Sequence, residues 1–480
     1  MKSIGQILGL VYLLMGFSGK AQNLFNRTYG AYGAFNQGAA AVEVSDNGFL
    51  ILGSTGGWES QNGDMVVIKT DSLGEQQWFK LYGGEYSDQA VDLLRLQNGN
   101  VLVCGNTATG LDGDYNVRLI LIDESGAVLW ERVEGSSDWD FFRSATELSD
   151  GSMAICLQTF GGESSNGNMQ LLRLSADGNV LWNEVLPGTE AQRAGGICAM
   201  DGDTIVMVGS RFNPSNNSND YHLSWWTADG ELIQERMHAF SEDDHLVGLL
   251  PVPGGDLFVV GNTLLGPDQF QTKIHLMDRQ NGDMLTTFSS SSDPGQSFEI
   301  RDLAYLEAVN AFVVAINYKD NTLIRAAAFR FTPDPILQCT FVYPGADDSD
   351  VSTIVLASDG FGFVGTSEEF APGQTSIAFS KADFDCNNVP VQVGIKVLEK
   401  SDKSVMAFPN PSSTGIFNVR FPENATMLKL IGVDGRTLQT RIIQSELEEL
   451  DVSQHSRGLY RILYLDKNGV VVGQTPIVKQ

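Results

Sequence analysis

Short apolar runs, each closed by a turn, recur along the chain without helical periodicity. Val66-Val-Ile-Lys-Thr-Asp71 leads through a polar turn to Gly74 and Trp78, Leu119-Ile-Leu-Ile-Asp123 leads to Gly126 and Trp130, and Leu171-Leu-Arg-Leu-Ser175 leads to Gly178 and Trp182. The turn glycines stand at 74, 126, 178, 230 and 282, an interval of 52 residues, and two more steps land on Asp334 and Cys386 in segments of the same pattern. Each of these registers carries four candidate strands, except the seventh, which carries three. The first alternates and ends in a hairpin dipeptide, as at Asn47-Gly48, Asn98-Gly99, Asp150-Gly151 and Asp359-Gly360. Both residue types tolerate the positive φ that a two-residue hairpin demands. The second is a continuous apolar run closing at glycine, such as Phe49-Leu-Ile-Leu-Gly53 or Val101-Leu-Val-Cys-Gly105, which suits burial on both faces. A polar loop, the third strand, its turn and a fourth strand beginning near Trp78, Trp130 or Trp182 complete the unit.

Units of this size cannot bury both faces alone and must stack on their neighbours, as propeller blades or solenoid coils do. Closure separates the two. Seven repeats of 52 residues need 364, and Asn23 to Pro390 supplies 368. The segment Phe25-Asn-Arg-Thr-Tyr-Gly30 resembles the end of a repeat yet has no strands before it, while the seventh repeat runs out of its fourth strand near Cys386. Residues 23–30 are therefore expected to zip the ring shut. The expected fold is all-β: a seven-bladed β-propeller over residues 22–390, a linker over 391–404, and a separate module over 405–480.

The first 21 residues read as a secretory signal peptide, with Lys2, the apolar run Ile7–Phe17, and small residues Gly19 and Ala21 before a cleavage point at Gln22. No later stretch offers the roughly 18 uninterrupted apolar residues of a membrane-spanning helix. Net charge is −28 and uneven: residues 405–480 sum to +1 and residues 1–21 to +2, which leaves −31 for the middle. Such a field repels nucleic acid and anionic membranes, so neither is an expected partner. Of five cysteines, Cys104 and Cys156 are 52 residues apart and hence too distant in space to bridge; with Cys198 they read as small buried residues. Cys339 and Cys386 follow their repeats' third strands and could bridge neighbouring blades.

Phe408-Pro409-Asn410-Pro411, Gly415-Ile-Phe417-Asn-Val, Val433-Asp434-Gly435-Arg436, Leu450-Asp-Val-Ser453 and Gly458-Leu-Tyr460-Arg-Ile follow one another in the last module, which ends Ile477-Val478-Lys479-Gln480. This order and spacing resembles the type A C-terminal sorting domain of the type IX secretion system of Bacteroidetes-type gram-negative bacteria. The resemblance implies a small immunoglobulin-like β-sandwich and recognition by the secretion machinery. It also implies delivery to the cell surface or beyond it, with Pro409, Asn410, Pro411, Gly415, Gly435, Gly458, Tyr460 and Lys479 as the motif residues. The repeats are similar to tandem propeller repeats of surface proteins in the same bacteria. They also approach the tryptophan-docking motif of quinoprotein dehydrogenases (Asp123, Gly126, Trp130) and the Asp-box of sialidases (Ser175, Asp177, Gly178, Trp182), each one residue out of pattern.

Linear chemistry is sparse. The five histidines are dispersed and no His-Glu-x-x-His spacing occurs. Glu242-Asp-Asp-His245 lies on a presumptive turn whose side chains diverge, and Asp112, Asp114 and Asn116 alternate like a calcium loop but lack its closing glutamate. No catalytic residue, metal or cofactor is assigned. The expected role is that of a monomeric, exported binding or adhesion protein whose glycan or protein ligand meets the variable loops 54–63, 106–116 and 211–220. The alternative is an extracellular propeller hydrolase or lyase whose acid and base come from different blades.

Overall fold

The computed structural model describes residues 24–388, apart from 31–33, 58–59, 61, 111–113, 161–165, 241, 291–295, 321–322, 344–347 and 372–373. It also describes 406–479, apart from 409–411, 422–424, 433–436, 446, 466 and 468–470. The segments expected to be a signal peptide (1–21) and a linker (391–404), and the motif residues Pro409, Asn410, Pro411 and Gly435, lie outside the described residues. The chain divides into two compact units, with the division at Val393 and Gly394.

Among the described residues the first unit contains seven four-stranded antiparallel sheets. Six use consecutive strands, the first being Asn36–Glu43, Phe49–Thr55, Asp64–Thr70 and Gln76–Tyr82. The seventh combines Ser349–Ala357, Gly360–Ala371 and Gln374–Ala382 with Phe25–Tyr29 from the other end of the unit, Phe25 opposite Lys381 and Tyr29 opposite Ile377. The first strands of successive sheets touch in order, and Ser349–Ala357 touches Asn36–Glu43. The ring is closed and the unit is a β-propeller. Second and third strands are buried on both faces, as in Phe49–Thr55 and Val101–Ala108, whereas the fourth strands are half exposed. At the closure Phe25, Phe49 and Phe379 pack edge to face, with centroids 4.9–5.9 Å apart.

The repeated turn is a joint between sheets. Gly74, Gly126, Gly178, Gly230 and Gly282 all have φ between +71° and +87°, a region that costs an L side chain about 1 kcal/mol or more. Each also lies beneath an aromatic of the preceding sheet: a Cβ would come within 2.8 Å of Trp78 at Gly126, 2.8 Å of Trp130 at Gly178 and 3.0 Å of Trp182 at Gly230. Trp130 and Trp182 donate to the turn carbonyls of Ala176 and Ala228 at 3.1 and 2.8 Å. Tyr29 and Tyr82 donate to Gly74 and Gly126 at 2.7 and 2.8 Å. Gln234, where tryptophan is missing, donates to Gln280 in the equivalent way, and Trp225 from the neighbouring strand covers Gly282.

Cys339 and Cys386 are joined, their Cα atoms 6.2 Å apart, while Cys104, Cys156 and Cys198 are buried and free. Cys339 sits within the fourth strand of its sheet, Leu337–Val342, rather than just after the third, so the bond ties the outer edge of the sixth sheet to the segment following the seventh.

In the second unit a three-stranded sheet (Met406–Phe408, Ile416–Arg420, Leu447–Asp451) and a four-stranded sheet (Thr437–Ile442, Met427–Ile431, Gly458–Leu465, Val471–Lys479) are present. They share one core that includes Phe417, Leu428, Leu450, Ile462 and Tyr464. Pro476 falls on the edge strand, where a missing N–H is tolerated.

The double role of the turn glycine predicts unequal costs at two positions of like φ. Gly151 has φ +78° with nothing within 4 Å of a Cβ, so Gly151→Ala costs about 1 kcal/mol. Gly178→Ala meets the Trp130 ring as well and costs a further ~1–3 kcal/mol. Denaturant midpoints of the two variants check this, and equal losses would contradict the joint.

Candidate functional site

Every first strand of the propeller carries a bulge at the same place. The register slips at Ala39, Val91, Arg143, Gly195 with Gly196, Val247, Arg301 and Ser352. A bulge frees a residue from the ladder and re-aims its side chain. Here all seven line a central cavity of about 490 Å³. At Gly195 a Cβ would lie 2.1 Å from the Leu246 carbonyl oxygen, so the next sheet's backbone closes directly on it.

What holds the bulges is a set of polar side chains on the second strands. At five of the seven bulges the amide just before the bulge donates to the preceding sheet: Ala90 to Ser54 Oγ at 2.9 Å, and at 2.8 Å Phe142 to Asn106 Oδ1, Ala194 to Gln158 Oε1, Ile300 to Asn262 Oδ1 and Val351 to Asn317 Oδ1. Between the fourth and fifth sheets Ser210 Oγ meets His245 Nδ1 at 3.2 Å, and at the seam Ser352 Oγ donates to the Gly38 carbonyl at 2.7 Å.

The cavity is electrically mixed. Arg143, Arg193 and Arg301 line it from the third, fourth and sixth sheets. Arg301 pairs with Glu299 at 3.1 Å. Arg143 lies 5.9 Å from the Phe141 ring centroid, and neither Arg143 nor Arg193 forms an ion pair with another described residue. Both are exposed to the cavity yet walled by protein. Burial, then repulsion from Arg193 and Arg301, lowers the Arg143 pKa; burial and Arg301 lower that of Arg193, against the pull of Glu299. Guanidinium remains charged at neutral pH regardless. Burial, followed by the charges of Arg193 and Arg143, holds His245 well below its ordinary range, so it is neutral there.

Two carboxylates sit one residue beyond their bulges. Burial, and then the charge of Asp302, pushes the Asp92 carboxyl up to about 7. Asp302 is also raised by burial, although its Oδ2 accepts from Thr353 Oγ1 at 2.5 Å and the Ile354 amide at 2.7 Å. Those bonds give Asp302 a structural role across the sixth and seventh sheets.

An aromatic cluster borders the start of the third sheet. Phe141 stacks on Tyr115 at 5.8 Å and meets Trp139 and Phe160 edge-on at 6.0 and 6.2 Å, with Trp139 48% exposed. Loop 54–63 lines a second cavity of about 620 Å³ through Ser54, Thr55, Gly56, Asn62 and Gly63. In loop 106–116 Asp114 accepts from Trp139 Nε1 at 3.2 Å and Tyr115 joins the aromatic cluster; Asp112 of the calcium-like pattern lies outside the described residues. Loop 211–220 is instead stapled to itself, Asn213 and Asn216 donating to buried Asp220 at 2.7 and 3.0 Å. Glu242 to His245 are not a turn: Asp243 opens the strand Asp243–Pro251, and the side chains diverge because strand residues alternate sides, Asp243 accepting from Asn219, Asp244 buried against Thr263 and Lys273, and His245 lining the cavity. Among the described residues no group of three His, Cys, Asp or Glu side chains could hold a metal ion.

In the second unit Gly415 has φ +76° and donates to Ser412 Oγ at 3.1 Å, Tyr460 OH donates to the Ser456 carbonyl, and Lys479 Nζ donates to the carbonyls of Ser453 and His455 at 2.7 and 2.5 Å. Gly458 opens the strand that pairs with Lys479. Gly415, Gly458, Tyr460 and Lys479, the motif residues among those described, thus meet at one end of the fold, where Lys479 closes the turn after Leu447–Asp451.

Residues 406–479 match the family model of the secretion system C-terminal sorting domain. The chain is a propeller protein carrying a type IX sorting tail, which directs it to the cell surface or the extracellular space. No curated protein matches its sequence. Among solved structures, puromycin hydrolase, as its S511A mutant complexed with PGG, is similar at TM-score 0.50 and 14% identity, over 80% of this chain and 58% of that one. A protein of unknown function from Bacteroides caccae gives TM-score 0.43 and 11% identity over 65% of this chain and 99% of that one. PorZ, a surface component of the type IX secretion system of Porphyromonas gingivalis, gives TM-score 0.42 and 10% identity over 92% and 59%. These likenesses concern fold alone. No helix among the described residues is long and apolar enough to cross a membrane.

The raised Asp92 pKa sets a pH dependence. The folded chain holds this proton more tightly than an unfolded one, so stability falls as pH rises from the ordinary carboxylate range near 4 and levels off above about 7. Asp92→Asn removes the term. Its thermal midpoint should exceed the wild type's at pH 8 and by a smaller margin at pH 5; equal margins would show that Asp92 ionises normally.

Proposed function

We propose that residues 22–390 form a seven-bladed propeller, exported behind a signal peptide at 1–21 and joined by a linker at 391–404 to an immunoglobulin-like sorting domain at 405–480. The propeller acts as a binding or adhesion protein at the cell surface, and its ligand enters the central cavity past the aromatic cluster. One observation carries the reading: the framework repeats, whereas the residues at the bulges are Ala39, Val91, Arg143, Gly195, Val247, Arg301 and Ser352, different in chemistry from sheet to sheet. Divergence at a cavity of small-ligand size, where Arg143 and Arg193 have no ion-pair partner among the described residues, is what a recognition site needs.

Hydrolysis or elimination is the second reading, and Asp92 is the observation that favours it, because an acid titrating near 7 suits proton transfer. Asp302 is already committed to Thr353 and Ile354. That leaves Asp92 without a free carboxylate partner in the lining, so binding is preferred.

Full-length protein on a glycan and surface-protein array, with mass analysis of every hit, separates the readings. Retention of intact ligand, unaffected by Asp92→Asn, is expected; product release abolished by Asp92→Asn would establish the enzyme. Deletion of residues 406–479 should leave the protein inside the cell envelope, and undiminished surface delivery would contradict the sorting role.

A further inference from the structure

Four basic residues occur on the seven first strands: Arg95, Arg143, Arg193 and Arg301. Arg95 pairs with Glu124 at 3.1 Å and is not in the cavity lining; the other three are. In a chain with 59 acidic and 31 basic residues, a cavity where three guanidiniums stand beside only three carboxylates, Asp92, Glu299 and Asp302, is a local departure from the acidic excess. Glu299 satisfies part of Arg301. Arg143 and Arg193 keep planar, five-donor forks at the cavity with no hydrogen-bond acceptor among the described residues, Glu299 acting on Arg193 only through space. Like charges so placed are stabilised by an anion with at least two oxygens, the geometry guanidinium recognises best.

The neighbouring rings restrict what bears the anion. Phe141 sits two residues before Arg143 on the same strand and its ring touches both that guanidinium and Trp139. A ligand that reaches both groups presents an apolar face to the rings and an oxyanion to the guanidinium 5.9 Å from the Phe141 centroid. A sugar ring has such a face in its axial C–H groups, which pack on the electron-rich surface of an aromatic. Nucleic acid fits poorly, because its dense phosphates would meet the propeller's net negative field over a surface much larger than three arginines can neutralise.

Resting on the binding reading above, we propose that the cavity takes an acidic saccharide terminus, its carboxylate or sulfate held between Arg143 and Arg193 and its ring placed against Trp139 and Phe141. The bound group is the oxyanion shared by uronates and sulfated sugars. Long-range repulsion from the rest of the chain is screened over a Debye length of about 8 Å at physiological salt, so the adjacent guanidiniums dominate at the site.

The test is equilibrium binding of full-length protein to immobilised oligosaccharides in three arms: uronate-terminated, sulfated, and their neutral counterparts. Retention of one acidic arm over the neutral arm by at least about tenfold is expected, falling with added salt. Arg143→Gln and Arg193→Gln should each lose about tenfold, Trp139→Ala should weaken both acidic arms, and Arg95→Gln should change nothing. Removing a repelling guanidinium should leave the thermal midpoint intact or higher, so loss of binding would not reflect misfolding. Equal retention of neutral and acidic arms, insensitive to Arg143→Gln, would overturn the acidic specificity and leave the binding reading standing. No retention of any glycan or surface protein would remove the binding reading itself. Competition by inorganic sulfate as effective as by the sugar would overturn the role of the rings.

Discussion

The hydrogen bond that at five of the seven bulges runs from the amide before the bulge to a polar side chain of the preceding sheet is the constraint on which the propeller's interior depends. A bulge breaks the ladder, and a buried N–H left unpaired costs about 1–3 kcal/mol. Asn106, Gln158, Asn262 and Asn317 each supply the missing acceptor from outside the sheet. One contact therefore permits the bulge, fixes the spacing of adjacent sheets, and turns the extra residue toward the cavity.

The outer rim uses a second, independent joint. There the aromatic or glutamine of one sheet lies on the glycine turn of the next, from Tyr29 on Gly74 to Gln234 on Gln280. With inner and outer joints both repeating, the central positions can vary without loosening the ring. The three cavity arginines and the uncommitted Asp92 are consistent with this freedom, since none contributes to either joint. The sorting unit follows the same economy at smaller scale, its last lysine capping a turn while the core is left to aromatic and aliphatic residues.

Much of this was legible beforehand because positive-φ turns leave a mark that composition cannot hide. Glycines 52 residues apart located the sheets, and the orphaned Phe25–Tyr29 announced its pairing with Gln374–Ala382. Where the interval would place a tryptophan the chain has Gln234, yet glutamine preserves the donor and Trp225 supplies the ring from another strand, an exchange no linear spacing shows. The bulges left no trace, for an extra residue present in every repeat does not alter the interval. Arg143, Arg193 and Arg301 escaped notice for a related reason: they converge only when the ring closes, and no linear spacing records that. Residues 211–220, polar enough in sequence to suggest a ligand loop, instead spend Asn213 and Asn216 on Asp220 and Asn219 on Asp243.

Hydrogen exchange on Asn106→Ala tests the central constraint most directly. Asn106 is buried, and its side chain accepts from the Phe142 amide at 2.8 Å, next to the bulge at Arg143. Exchange of the Phe142 amide and its immediate neighbours should accelerate by about tenfold or more, while amides of the fifth to seventh sheets keep their protection. Unchanged protection at Phe142 would show that the bulge stands without its cross-sheet acceptor, and the interior would need another explanation.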